Sequence, residues 1–323
     1  MAAIDKNVDP ALWPLVESFP PIDLSADTLN GFRAAMVELS IVPDASTHTD
    51  VRIEELKITA EGAAAQSIRC LLLKPAERAS VGALLHIHGG GFVMGSPEMD
   101  VARNIEIVRA TGCAVLSVDY RLAPEHPHPA GLEDCHAALV WLASRAQSLG
   151  ISPMRIGVIG ESAGGGLAAS LALLARDRKS VPLACQVLIY PMLVPPAQST
   201  DATSPDARTG RYIWTRASNN YCWSAYLGGA PADAKTIAGL AADLTALPPA
   251  FLAVGDLDLF VHDNLVHVRR LLAAGCPVEA HVYPGAIHGF DRATDAAVTA
   301  RYTRELTGFI GRSLSRSPQS PGG

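Results

Sequence analysis

The sequence predicts an α/β fold: a mostly parallel sheet of about eight strands, helices on both faces and a helical cap. From residue 81 onward, short apolar runs alternate with segments of helical length. These runs are apolar throughout, which is typical of strands buried on both faces. In addition, a serine flanked by glycines falls at the junction between one run and the next helical segment.

The strands and helices follow from this periodicity. "VRIEELKI" and "IRCLLLKP" alternate apolar and polar residues and are predicted as an antiparallel pair. The later strands are predicted at 81–88, 114–120, 155–161, 184–191, 250–256 and 278–284. The helices between them are predicted at 98–111, 130–149, 163–178 and 262–275. Strand and helix in alternation imply a parallel sheet.

Three segments depart from this rhythm and define the predicted domains. Residues 1–45 mix prolines with short amphipathic pieces and are predicted as N-terminal cap helices. Residues 46–312 form the α/β domain, interrupted at about 192–230 by an aromatic-rich cap insertion. Residues 313–323 have low complexity and are predicted to be a disordered tail.

Composition narrows the function classes. A net charge of -6 argues against nucleic acid as a partner. The start of the chain has no basic segment followed by an apolar one, and the apolar stretch at 163–175 is too short to span a bilayer. The six cysteines are scattered and none forms a C-x-x-C pair. We therefore expect a cytoplasmic protein with no membrane span.

The segment Gly160-Glu161-Ser162-Ala163-Gly164 is a G-x-S-x-G between a predicted strand and a predicted helix. A sharp turn there forces the serine into a strained backbone conformation, and the flanking glycines remove the clashes. The hydroxyl then stands at a helix N-terminus, where the dipole favours developing negative charge. This context predicts that Ser162 is a nucleophile.

A serine nucleophile needs a histidine base and an acid that orients the base. Of the four histidines after Ser162, His288 alone follows a strand in a loop. The acid is expected after the preceding strand, where spacing leaves Asp256 and Asp258 as alternatives. Asp263 is expected to begin the next helix.

Together the motifs resemble the hormone-sensitive-lipase-like carboxylesterases, which have the α/β-hydrolase fold and are similar to arylacetamide deacetylases. The resemblance runs from about residue 50 to 312 and rests on "HGGGF", "VDYRLAPEHPHPA", "GESAGG", "DLF" and "HVYPGAIHGFD". It implies Ser162 as nucleophile, His288 as base and Asp258 as acid. It also implies an oxyanion hole of backbone N–H groups from Gly89, Gly90 and Ala163, with His88, Gly91, Gly160 and Gly164 in support.

The resemblance implies hydrolysis of short to medium acyl esters through an acyl-enzyme, with no metal and no cofactor. The alternatives are an amidase, a deacetylase or a lactonase with the same triad, or a ligand receptor that has lost hydrolysis. Members of the family often dimerise through the last strand and its helix, so the small-molecule ester and a second copy of the chain are the partners considered.

The remaining polar residues near these motifs are expected to be structural. Asp119 and Arg121 are expected to form an ion pair, and His86 to lie in the core. Glu161 is expected to tune the site or to act as a helix-start acid. The pair His126 and His128 lies among prolines with no Cys or acidic partner, so we expect no metal there.

Overall fold

A computed structural model describes residues 6–19, 21–40, 42–59, 67–77, 79–203 and 205–315. Within them a single eight-stranded sheet carries the fold, in the order β1-β2-β4-β3-β5-β6-β7-β8. The strands are β1 (Val51–Thr59), β2 (Ser67–Pro75), β3 (Ala83–Ile87), β4 (Ala114–Val118), β5 (Ile156–Glu161), β6 (Gln186–Ile189), β7 (Ala250–Gly255) and β8 (Val278–Tyr283). The predicted α/β fold with about eight strands is confirmed.

The sheet is parallel except at its β1 edge, where β1 pairs antiparallel with β2 and β2 pairs antiparallel with β4. From β4 to β8 every neighbouring pair is parallel. Every residue of β3, β4, β5, β6 and β7 is buried, which explains their continuous apolar runs. The carboxyl ends of the parallel strands meet at one edge, so the segments that follow them converge there.

The helices are α1 (Trp13–Ser18), α2 (Leu29–Leu39), α3 (Val101–Thr111), α4 (Ala130–Arg145), α5 (Ala163–Arg178), α6 (Arg216–Leu227), α7 (Val261–Ala273) and α8 (Ala297–Ser315). Helix α3 packs against α8, and α4 packs against α5. In the described part of the chain, no helix is both long enough and apolar enough to cross a membrane.

The N-terminal segment contacts the region of α6, far away in sequence. Ile22 forms a parallel bridge with Trp214, and the Ser218 hydroxyl donates to the Ile22 carbonyl at 2.5 Å. Arg33 on α2 donates to the backbone carbonyls of Val93 and Ala123 at 2.8 and 2.9 Å. These bonds join the N-terminal segment to the start of α6, and α2 to the segments that follow β3 and β4.

The division into cap and α/β domain stays a prediction. Helices α1 and α2 lie within residues 1–45, and α6 lies within the insertion at about 192–230. Of the tail predicted at 313–323, residues 313–315 belong to α8. The rest of that tail, 316–323, lies outside the described residues.

Gly164, in the first turn of α5, makes a close backbone approach to the end of β3. A Cβ on Gly164 would lie 2.0 Å from the Ile87 carbonyl oxygen and 2.4 Å from that of His88. Both distances are far below van der Waals contact. Helix α5 therefore packs directly on the end of β3, and any side chain at Gly164 would push the two apart.

We expect Gly164→Ala to lower the free energy of unfolding by about 1–3 kcal/mol, which is the usual cost of overpacking. Gly311→Ala is the matched control, because Gly311 also lies in a helix and a Cβ there meets nothing within 4 Å. That substitution should raise stability by up to about 1 kcal/mol through helix propensity. Urea unfolding measures both, and a Gly164→Ala variant as stable as wild type would refute the close approach.

Candidate active site

Ser162 lies at the sharp turn between β5 and α5, where the sequence places it. Its backbone has φ 54° and ψ −120°, a strained conformation for a residue with a side chain. Its N–H donates to the Ile189 carbonyl at 2.9 Å, and its own carbonyl accepts from Met192 at 2.8 Å. These bonds to β6 and the segment after it hold the turn in place.

His288 follows β8 and Asp258 follows β7, and the two loops bring their side chains to Ser162. The Ser162 Oγ and the His288 Nε2 lie 3.0 Å apart. The other ring nitrogen, Nδ1, lies 2.7 Å from the Asp258 Oδ2. Asp258 is fully buried, and its Oδ1 accepts from the backbone N–H of Phe260 at 2.9 Å. This chain of hydrogen bonds can pass the serine proton to an imidazole whose tautomer the carboxylate fixes.

Asp256, the alternative that spacing left open, does not contact the imidazole in the described structure. Its Oδ1 instead accepts from the backbone N–H of Gly285 at 2.7 Å, which joins the loop after β7 to the loop before His288. Asp263 lies in the first turn of α7, as expected, and accepts from the hydroxyls of Ser199 and Thr200 at 2.6 and 2.7 Å. Asp258 is thus the aspartate beside His288, as the resemblance implies.

The glycine loop after β3 lies directly against Ser162. A Cβ on Gly89 would be 3.6 Å from the Ser162 Cβ. Gly90 has φ +112°, and a Cβ there would meet the Met94 carbonyl oxygen at 2.1 Å, so only glycine fits. Among the hydrogen bonds of the described residues, the backbone N–H groups of Gly89, Gly90 and Ala163 donate none. They are therefore free to bind an oxyanion.

The predicted supporting residues surround this loop. The His88 Nδ1 lies 2.8 Å from the Gly89 carbonyl, and the ring stacks on Tyr120 with centroids 4.3 Å apart. Burial lowers the pKa of His88 to about 4, so the imidazole is neutral and anchors the loop. Gly91 lies against Trp214, and Gly160 lies against Gly164.

Three aromatic rings enclose the His288 imidazole. Tyr190, Phe260 and Trp214 have ring centroids 4.7, 5.4 and 6.0 Å from that of His288. These rings surround the imidazole with apolar surface and Asp258 is fully buried, so the hydrogen bond between His288 and Asp258 lies in a low-dielectric environment that strengthens it.

Ser162 and His288 open into a cavity of about 200 Å³. The cap and the loops give it an apolar lining of Leu15, Phe19, Ile22, Met36, Met94, Met99, Ile213 and Trp214. The sequence predicts residues 1–45 as a cap but not which of their side chains line the cavity, because nothing in that segment signals which of them face the site.

A buried ionic cluster lies behind the serine turn, and sequence reasoning missed it. The Arg103 guanidinium lies 2.8 Å from Glu161, 3.1 Å from Asp100 and 3.1 Å from Asp291. His86 belongs to it: the ring is fully buried, and its Nδ1 lies 2.7 Å from the Ser117 hydroxyl. His86 is a core residue, as expected.

The set His86, Asp100 and Glu161 has the donor types of a metal site, with ligand atoms within 4.8 Å of one another. However, the Arg103 guanidinium contacts all three side chains, since its NH2 also lies 3.2 Å from the His86 Nε2. A cation already fills the position that a metal ion would take. Glu161 is thus an ion-pair partner at the end of β5, not a helix-start acid.

The expected ion pair between Asp119 and Arg121 is wrong. Arg121 binds Asp134 on α4 through two guanidinium nitrogens, each at 2.8 Å, and Asp119 lies 3.3 Å from Arg69 on β2. Asp119 and Arg121 are only two residues apart in the sequence, but each side chain pairs with a residue on a neighbouring element instead. The two arginines join the β4 end to α4 and to β2.

The protein belongs to a known class, which the fold and this site define. Residues 84–292 match a family model described as the alpha/beta hydrolase fold. The chain is 34% identical over 294 residues to Carboxylesterase NlhH of Mycobacterium tuberculosis, covering 88% of this chain and 89% of that protein. It is 31% identical to an Arylesterase of Saccharolobus solfataricus, over 75% of this chain and 77% of that one.

Solved structures agree with the sequence matches. The structure titled Bacterial Heroin Esterase superposes with a TM-score of 0.87 at 33% identity and covers 96% of this chain and 99% of its own. The chain therefore belongs to the α/β-hydrolase family. The resemblance to the hormone-sensitive-lipase-like carboxylesterases is confirmed.

The buried acids Asp100 and Glu161 respond oppositely to their surroundings. The pKa of Asp100 is raised to about 7, mainly by burial and in addition by the negative charge of Glu161. Although burial opposes it, Arg103 and then His86 hold the pKa of Glu161 well below its usual range. The pair thus holds one proton on Asp100 in weakly acidic solution.

A raised pKa in the folded state makes the Asp100 contribution to stability fall as pH rises from about 4 to about 7. Above pH 7 Asp100 has lost its proton in both the folded and the unfolded protein, and its contribution to stability stays constant. In Asp100→Asn an amide that does not titrate replaces the carboxyl. The unfolding free energy of the variant, relative to that of wild type, should therefore rise as the pH increases through this range. Urea unfolding at pH 5, 6, 7 and 8 tests this; a difference in unfolding free energy that does not change with pH would contradict it.

Proposed function

We propose that this chain hydrolyses carboxylic esters with short to medium acyl chains, with Ser162 as nucleophile, His288 as general base and Asp258 as orienting acid. That the chain is a carboxylic ester hydrolase follows from its family and from relatives named for that activity. The observation that supports the residue roles is the chain of hydrogen bonds from Ser162 through His288 to Asp258, at 3.0 and 2.7 Å.

In the first step, His288 takes the Ser162 proton while the serine oxygen attacks the ester carbonyl carbon. The carbonyl oxygen becomes an oxyanion, which the backbone N–H groups of Gly89, Gly90 and Ala163 bind. Support for this comes from the unused donors of these groups and from Gly164, whose contact with β3 brings the start of α5 beside the glycine loop. The N-terminus of α5 favours the same negative charge.

In the second step the alcohol leaves with the proton from His288, and an acyl-serine remains. Water then attacks the acyl carbon with His288 again as base, and the imidazolium returns this proton to the Ser162 oxygen as the acid is released. The Asp258 carboxylate stabilises the imidazolium that forms. This chain's own residues supply each proton transfer.

The proposed acyl range rests on the cavity. Its lining is mostly apolar, which favours hydrocarbon acyl groups, and its volume of about 200 Å³ favours chains of a few carbons. The cap side chains Leu15, Phe19 and Met36 would limit longer chains.

We also propose that the protein is located in the cytoplasm and forms a homodimer. Support for a reducing compartment comes from the six cysteines, all of which are buried and free. Support for a dimer comes from β8, which ends the sheet and exposes 38% of Val282.

The acyl range can be measured with p-nitrophenyl esters from acetate to palmitate. We expect kcat/KM to be highest for short and medium chains and to fall steeply toward palmitate, with the matched butyranilide and a lactone much slower than the butyrate. Ser162→Ala should lower kcat by about 10⁴-fold or more, because the nucleophile is lost. Near wild-type turnover by pure, folded Ser162→Ala would rule out the assignment.

Substitutions at Asp256 and Asp258 test which aspartate is the acid that orients His288. Asp258→Asn should lower kcat by about 10⁴-fold, since an amide favours the wrong imidazole tautomer. Asp256→Asn should keep activity within about tenfold, because the amide oxygen can still accept from Gly285. Steady-state kinetics on p-nitrophenyl butyrate decides between them, and the reverse order would show that Asp256 is the acid.

A further inference from the structure

One cation faces the cavity that contains Ser162. Arg292 ends the short turn Phe290–Arg292, four residues after His288, and it lines the cavity together with Met99 and Tyr190. Its side chain is 39% exposed. Of the described residues that line the cavity, no other carries a lysine or arginine side chain.

Arg292 has only one polar partner in the described part of the chain. Its NH2 lies 3.4 Å from the Asp100 Oδ1, at the long limit of a hydrogen bond. A guanidinium offers five N–H donors in a planar fork, so most of its capacity is unused. An arginine held beside an apolar cavity with free donors suits the two oxygens of a carboxylate.

The nearby carboxylates are already committed to other groups. Asp100 contacts Arg103 at 3.1 Å, and Glu161 contacts Arg103 at 2.8 Å. Asp291 contacts Arg103 at 3.1 Å and accepts from the Tyr190 hydroxyl at 2.6 Å. Arg103 is thus the nearer cation for each of these carboxylates, and Arg292, with its single long contact to Asp100, keeps donors free beside the cavity.

We propose that the cavity accepts esters that carry a carboxylate, and that Arg292 binds this carboxylate while Ser162 attacks the ester carbonyl. The inference rests on the proposed function and names its substrate class. The carboxylate can lie on the acyl side, as in a half-ester of a dicarboxylic acid, or on the alcohol side, as in an acyloxybenzoate. Both present the same group to the guanidinium.

The test compares each anionic ester with its neutral methyl ester. The acyl arm uses p-nitrophenyl hemiadipate and methyl p-nitrophenyl adipate; the alcohol arm uses 4-butyryloxybenzoate and its methyl ester. The readout is the ratio of kcat/KM, anionic over neutral, which cancels any general loss of activity. In wild type we expect a ratio above one in at least one arm.

Arg292→Met should lower that ratio at least tenfold, mainly through KM, and Arg292→Lys should restore part of it. Arg304→Met is the control, because it removes the same charge from an exposed position on α8. Its ratio should stay within twofold of wild type. The arm that responds identifies the side on which the carboxylate lies.

A wild-type ratio below one in both arms would overturn the inference, even if Arg292→Met failed to fold. The inference would also be overturned if, in both arms, the ratio for Arg292→Met stayed within twofold of the wild-type ratio. In either case, hydrolysis of the neutral esters would leave the proposed function standing. If wild type hydrolysed neither the neutral esters nor p-nitrophenyl butyrate, the proposed function itself would fail.

Discussion

The site depends on the contact between the first turn of α5 and the end of β3. Gly164 packs on the carbonyls of Ile87 and His88 at distances that no Cβ tolerates. That contact brings the serine turn and the glycine loop, two segments more than 70 residues apart, into one surface. Because the approach is backbone on backbone, N–H groups rather than side chains lie beside Ser162, and in the proposed mechanism they bind the oxyanion. In acyl transfer, electrostatic stabilisation of this kind usually contributes more to the rate than any other single effect.

The parallel sheet supplies the other half of the arrangement. Since β5, β7 and β8 run in one direction, the segments after them deliver Ser162, Asp258 and His288 to the same edge. Beneath them, Arg103 forms ion pairs with the buried side chains of Asp100, Glu161 and Asp291. A buried charge without a partner is costly, so this cluster resists rearrangement and holds the serine turn from below. Arg292 lies beside this cluster, 3.4 Å from Asp100, and lines the cavity.

The sequence predicts the parts of the molecule that local pattern governs. Buried parallel strands are apolar throughout, so β3 to β7 could be located within a few residues, and the strand-to-helix context identified Ser162. The choice between Asp256 and Asp258 needed the resemblance, because two residues of spacing do not reveal which carboxylate turns toward His288. The partners of Arg121 and Asp119 could not be predicted, because they lie on α4 and β2 and depend on tertiary packing. Arg292 lies in the same motif as His288, yet nothing local to "HGFDR" indicates that it faces the cavity.

The central claim is that the strained Ser162 is a nucleophile activated by His288. The most direct measurement is labelling with a fluorophosphonate followed by intact-mass analysis and peptide mapping. Such a reagent phosphonylates an activated serine and leaves ordinary hydroxyls unmodified. We predict one adduct per chain, located on the peptide that contains Ser162, and a large drop in its rate of formation when His288 is replaced by glutamine. Absence of an adduct, or an adduct on another residue, would contradict the account.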